Sequence, residues 1–108
     1  MATTPSGRFT IEHKAAEDGT PTLVCKGRID LENANALRTE VKCLSSTHPT
    51  VHADLSGVDA IDSAGLGSIL GTHVSAKNDG CELVLVNLHP RVRDLLNITK
   101  LTSVLVVR

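Results

Sequence analysis

The stretch from Val51 to Lys77, VHADLSGVDAIDSAGLGSILGTHVSAK, changes its hydrophobic period once, and that change constrains the fold more than any other feature of the chain. From Thr50 to Leu55 the residues alternate, with Val51, Ala53 and Leu55 on one face and His52 and Asp54 on the other, which predicts a β-strand. Ser56-Gly57 breaks it. Leu66, Ile69, Leu70, His73 and Val74 then recur at three- and four-residue spacing, so an amphipathic helix is expected from Asp62-Ser63, with Asp62 as its N-cap.

The same alternation of periods runs through the chain. Arg8 to His13 reads as a first strand with Phe9 and Ile11 inward, and Glu17-Asp18-Gly19 turns it back into a hairpin. Thr22 to Ile29 supplies the second strand, its apolar side formed by Leu23, Cys25, Gly27 and Ile29. Ala34, Leu37, Val41 and Leu44 mark a helix over Leu31 to Ser46, capped by Asp30 and ended by the segment Ser45 to Pro49. Asn78-Asp79-Gly80 closes the second helix. Cys81 to Leu88 is a nearly unbroken apolar run, as expected of a central strand covered on both faces. His89-Pro90 opens a third helix with Val92, Leu95 and Leu96 inward, and Ser103 to Val107 forms a last strand. The order ββαβαβαβ describes an α/β domain, and right-handed crossovers bring its strand-to-helix loops, with Asp30, Asp54 and Ser63, to one edge of the sheet.

A chain of 108 residues supports one core. Residues 1–7 are expected to be a flexible tail and 8–108 the domain; MATTPSGR has neither a basic start nor an apolar core, so it is not read as a secretion signal and the cytoplasm is expected. No apolar run approaches the ~20 residues of a membrane span. Net charge of -1 and a lone aromatic residue, Phe9, give nucleic acid neither an electrostatic footprint nor a stacking platform. Cys25, Cys43 and Cys81 are too scattered for a disulfide framework or zinc site and are expected as reduced, buried thiols. His13, His48, His73 and His89 lack metal-ligand spacing, so neither metal nor cofactor is implied.

Enzyme signatures are also missing. Leu70 stands where G-x-G-x-x-G needs its third glycine, and neither G-x-x-x-x-G-K nor G-x-S-x-G occurs. Ser63, His52 and Asp54 form no triad by spacing, and His52 reads as solvent-facing or partner-binding. What remains is Ser63 itself. The first turn of a helix offers free N–H groups and the positive end of the dipole, which favour an anionic group such as phosphate. Asp62-Ser63 equally suits a plain helix cap. Gly65 and Gly67 either leave that turn open to another protein or pack it tightly against a neighbour.

The run DLSGVDAIDSAGLGSILG, preceded by KGRIDLENANAL and followed by NLHPRVRDLLNITKL, resembles the STAS domain and, within it, the bacterial anti-sigma factor antagonists. The resemblance runs from about Phe9 to the last residue, Arg108. It implies a small mixed sheet with helices packed on it, no catalysis, and regulation of transcription in stress or sporulation signalling. Phosphorylation is implied at Ser63, with Asp30, Asp54, Asp62, Ser63, Ala64, Gly65, Leu66 and Gly67 as the partner-binding surface. The implied partners are an anti-sigma factor with serine kinase activity and a serine phosphatase, the domain itself being a monomer or weak dimer. The same family also contains scaffold subunits of signalling and lipid-transport complexes, a second expectation. Two departures bear on stability or association: the amphipathic helix that relatives carry after the last strand is not present up to Arg108, and Lys100 replaces a glycine frequent after the third helix. Ala64 also replaces a second hydroxyl residue of many relatives, leaving Ser63 the sole acceptor of the motif.

Overall fold

The structure is a computed structural model describing residues 2–3 and 9–108. Its hairpin forms where the sequence places it: β2 (Thr10–Ala15) and β3 (Pro21–Lys26) pair antiparallel in register from Thr10 opposite Lys26 to Ala15 opposite Pro21. Gly19 at φ +86° turns the chain, and Asp18 Oδ1 accepts the Thr20 N–H at 2.9 Å. A short strand, β1 (Ala2–Thr3), adds antiparallel to β2. The rest of the tail expected over residues 1–7, and Arg8, lie outside the described residues.

Beyond β3 come α1 (Leu31–Ser45), β4 (Thr50–Gly57), α2 (Ser63–Asn78), β5 (Glu82–Val86), α3 (Pro90–Ile98), a 3-10 turn at Leu101–Ser103 and β6 (Val106–Val107). The sheet order is β1-β2-β3-β4-β5-β6, antiparallel up to β3 and parallel from β3 to β6, so the fold is the mixed α/β domain expected, with the order ββαβαβαβ from β2 onward. Each helix starts from a side chain able to accept a free N–H: Asp30 for α1, Asp62 for α2 and His89 for α3.

One core holds the layers together. Phe9, Ile11, Leu23, Ile29, Leu55 and Val51 are fully buried, and Leu37 and Val41 of α1, Ile69 of α2 and Leu96 of α3 join the same cluster. Burying each such side chain stabilises the domain by about 1.5–3 kcal/mol. Among the described residues, no helix is long and apolar enough to cross a membrane.

The structure revises several details. The buried face of α2 runs through Gly65, Leu66, Ile69, Thr72 and Ala76, while Val74, expected inside, is 55% exposed. The helix touches both β5 and α1, so small residues suit its buried face, and Thr72 Oγ1 donates to the Ser68 carbonyl at 2.8 Å, leaving no unpaired hydroxyl there. β5 is not central but one place from the edge, beside the two-residue β6. Cys25 and Cys81 are buried as expected but Cys43 is exposed on α1. Burial, with the Asp54 carboxylate adding to it, pushes the Cys25 thiol up to about 12.

Lys100 follows α3 in the left-handed region, φ 61° and ψ 22°, which explains why a glycine suits this position. A side chain there costs roughly 1–2 kcal/mol against the right-handed conformation. Lys100→Gly is therefore expected to stabilise the domain by about 1 kcal/mol, read as a rise in Tm of roughly 4 °C by calorimetry. An unchanged or lower Tm would contradict the strain assigned to this residue.

Candidate functional site

The site is built by two loops that hydrogen-bond to each other. Ile29, after β3, and Ile61, after β4, form an isolated parallel bridge. The Ile29 N–H donates to the Ala60 carbonyl at 3.0 Å and the Asp62 N–H to the Ile29 carbonyl at 3.1 Å. Because each loop leads directly into a helix, this bridge sets the N-terminal ends of α1 and α2 side by side. Asp30 Oδ1 accepts the Asn33 N–H at 2.9 Å and Asp62 Oδ1 the Gly65 N–H at 2.7 Å, so both carboxylates are committed to caps.

Ser63 follows as the first residue of α2 and is exposed. Its side chain makes no hydrogen bond among the described residues. Ala64 and Gly67 are exposed as well, while Gly65 and Leu66 are buried beneath them. The two glycines therefore differ. A Cβ on Gly65 would stand 2.5 Å from the Ile29 carbonyl oxygen, whereas one on Gly67 would meet nothing within 4 Å. Gly65 is the tight packing that lets the bridge and the helix coexist; Gly67 leaves open space beside the serine.

Asp54 reaches the same edge but from the sheet's other face, opposite the buried Val51, Ala53 and Leu55. It does not reach toward Ser63: Oδ1 accepts the Ser56 N–H and Oδ2 the Asn87 Nδ2, each at 2.9 Å, which ties the ends of β4 and β5 together. Partial burial pushes its carboxyl up, but the hydrogen bonds from Asn87 and Ser56 outweigh that and hold it below the usual carboxylate value. Asn87 adopts φ 55°, the left-handed geometry that asparagine tolerates best after glycine.

Two residues outside the expected surface lie at the same edge. Arg28 is exposed on the β3–α1 loop with Nη2 3.8 Å from Asp62 Oδ2, and Leu31, the first residue of α1, is 54% exposed. The charge in KGRID was visible in the sequence, but its pairing across two loops was not. Other candidates have separate roles. His52 lies half-buried in a cross-strand row with Thr22 and Val84 and makes no hydrogen bond to Ser63 or Asp54. His13 meets Glu40 at 3.0 Å, and His89 Nδ1 caps α3. Among the described residues no cluster of histidine, cysteine and carboxylate groups is arranged to hold a metal ion. The chemistry this edge offers is an accessible hydroxyl at the positive end of a helix, flanked by an open glycine and an arginine–aspartate pair.

The profile of the STAS domain matches residues 14–108. Over 79 residues the chain is 34% identical to the anti-sigma-B factor antagonist of Bacillus subtilis strain 168, covering 73% of this chain and 72% of that protein. An anti-sigma factor antagonist from Mycobacterium paratuberculosis has the same fold, with a TM-score of 0.75 at 22% identity over 99% of this chain and 89% of the other. The anti-sigma factor antagonist SpoIIAA in its unphosphorylated form superposes with a TM-score of 0.70 at 17% identity, covering 91% and 87% of the two chains. In its phosphorylated form this Bacillus protein gives 0.65 at 16% identity, covering 91% and 90%.

The two glycines should respond oppositely to the same added methyl group. Gly65→Ala is expected to cost about 2 kcal/mol or more, because the obstacle is backbone, while Gly67→Ala gains about 0.5–1 kcal/mol of helix propensity; chemical denaturation measures both. The Asp54 carboxyl binds a proton less readily folded than unfolded. Its contribution is full above the ordinary carboxylate value of 3.8 and drains as pH falls through the lower folded value. Replacing it by Asp54→Asn should flatten the loss of Tm between about pH 5 and pH 2 relative to the parent.

Proposed function

The chain belongs to the STAS domain family, and on that premise we propose that it is an anti-sigma factor antagonist switched by phosphate on Ser63. The observation that carries this reading is the Ser63 hydroxyl, exposed and uncommitted at the first position of α2 while the carboxylate beside it is spent on a cap. Similarity to the anti-sigma-B factor antagonist supports the class of partner.

In this reading the unmodified domain presents Asp30, Asp62, Ser63, Ala64 and Gly67 to an anti-sigma factor with serine kinase activity, which then releases its sigma factor. Gly65 and Leu66 support that surface from beneath, and Asp54 braces the same edge through Ser56 and Asn87. The absence of a side chain at Gly67 lets the kinase approach the first turn of α2 closely. The Ser63 Oγ attacks the γ-phosphorus of ATP bound to the kinase; the new O–P bond forms as the bond to the β,γ-bridging oxygen breaks. ADP leaves with that electron pair, and the hydroxyl proton passes to a carboxylate base of the kinase. The domain itself supplies access and no base, so it acts as acceptor rather than enzyme. A serine phosphatase reverses the state.

Phosphate ends binding by electrostatics. Phosphoserine adds about -1.5 to -2 charge at neutral pH. At ~8 Å and an effective dielectric of ~40, two added charges facing one carboxylate of a complex cost roughly 2 kcal/mol, about thirtyfold in affinity. The N-terminus of α2 favours the dianion by about 0.3–1 kcal/mol, so the domain stays folded when modified.

Mass spectrometry after incubation with a serine-kinase anti-sigma factor and ATP should find one phosphate, on Ser63. Ser63→Ala should bind that partner with parental affinity whether or not ATP is present, and Ser63→Asp, with about half the charge of the phosphate, about sixfold more weakly. Equal affinities for the two variants, or phosphate on another residue, would remove the basis for this function.

A further inference from the structure

We propose that Arg28 is the internal receiver of the Ser63 phosphate: on modification its guanidinium leaves Asp62 and pairs with the new dianion, which withdraws a cation from the docking surface. This rests on the phosphorylation reading above and adds the residue through which the domain itself responds.

The backbone of Arg28 is held in place from several sides. Its carbonyl accepts Asn33 Nδ2 at 2.8 Å, and Asn33 is only 4% exposed. The next residue, Ile29, carries both hydrogen bonds of the loop bridge, and the preceding Gly27 N–H donates to the Gly57 carbonyl at 3.0 Å. The Cα of Arg28 therefore stays beside the tip of α2 in either state, and only the side chain has freedom.

That side chain is poised rather than locked. Its side chain is 66% exposed and Nη2 stands 3.8 Å from Asp62 Oδ2, a long contact of the kind worth little between exposed groups. Asp62 cannot follow a moving guanidinium, because its other oxygen caps α2 at 2.7 Å from the Gly65 N–H. A phosphate on the adjacent residue offers about twice the charge and three acceptor oxygens, which a planar guanidinium engages in bidentate fashion. The weaker, single-charge partner loses the exchange. Loss of partner binding then has two parts, a dianion gained and an arginine removed from the surface, with Asp62 left uncompensated next to both.

The test uses full-length chain in which phosphoserine is installed at position 63 during synthesis, so it needs no kinase. The phosphate is titrated by phosphorus NMR against free phosphoserine in the same buffer, in the parent and in Arg28→Gln and Arg28→Lys. The exchange predicts that the second phosphate ionisation lies about half a unit lower in the parent than in Arg28→Gln, with Arg28→Lys between them. The difference should shrink in about 1 M salt. Identical titrations of parent and Arg28→Gln overturn the proposal. If Arg28→Gln does not fold, citrulline at position 28, an uncharged isostere of arginine installed in the same synthesis, takes its place: a second ionisation identical to the parent's overturns the proposal. Because the phosphate is installed chemically, failure here leaves the functional reading standing, and failure of that reading is seen separately in the binding of Ser63→Ala.

Discussion

Two backbone hydrogen bonds between the loop at Ile29 and the loop at Ala60–Asp62 organise the functional end of this domain. Sheet pairing ends before this point: β3 stops at Lys26 and β4 at Gly57, yet the chain pairs once more at Ile29 and Ile61 before each loop enters its helix. That extra bridge makes the two N-terminal ends of α1 and α2 neighbours. It also dictates the residue that must lie over it, since only Gly65 lets α2 start so near the Ile29 carbonyl. A larger residue forces apart either the bridge or the helix.

The polar groups at this edge differ in whether they are already engaged. Asp30 and Asp62 are spent on helix caps, and Asp54 is held by Ser56 and Asn87. Each carboxylate thereby stiffens a loop, because breaking such a charge-assisted bond leaves a helix N–H or amide without its partner. Ser63 carries no such duty, so chemistry at its oxygen disturbs no part of the scaffold. A phosphate added to a free hydroxyl amid engaged carboxylates would change surface charge and leave the caps intact. Arg28 stands between these classes, anchored by its backbone and loosely paired by its side chain.

Most of the scaffold follows from local pattern. The alternation of Val51, Ala53 and Leu55, the stripe of Ala34, Leu37 and Val41, and the caps at Asp30 and Asp62 are all seen as read, and the exposed position of Ser63 follows from its place after a cap. These features depend on residues a few positions apart, where helix and strand geometry are the same in any protein. Lys100 shows the limit: lysine carries no local signal for the left-handed backbone it adopts after α3.

What local pattern left open are relations between distant segments. The helical spacing points Val74 inward on α2, but that helix packs on both α1 and β5, and it is Thr72, with its hydroxyl bonded to the Ser68 carbonyl, that is buried. Gly65 and Gly67 are chemically identical two positions apart, and only the approach of Ile29 separates a packing glycine from an open one. Asp54 leans on Asn87 rather than toward Ser63 because successive side chains of a strand point to opposite faces. The sequence alone thus determined where an exposed serine meets the tip of a helix; the packing of two loops determined which neighbours surround it, because contact between residues far apart in the chain depends on how the sheet brings them together.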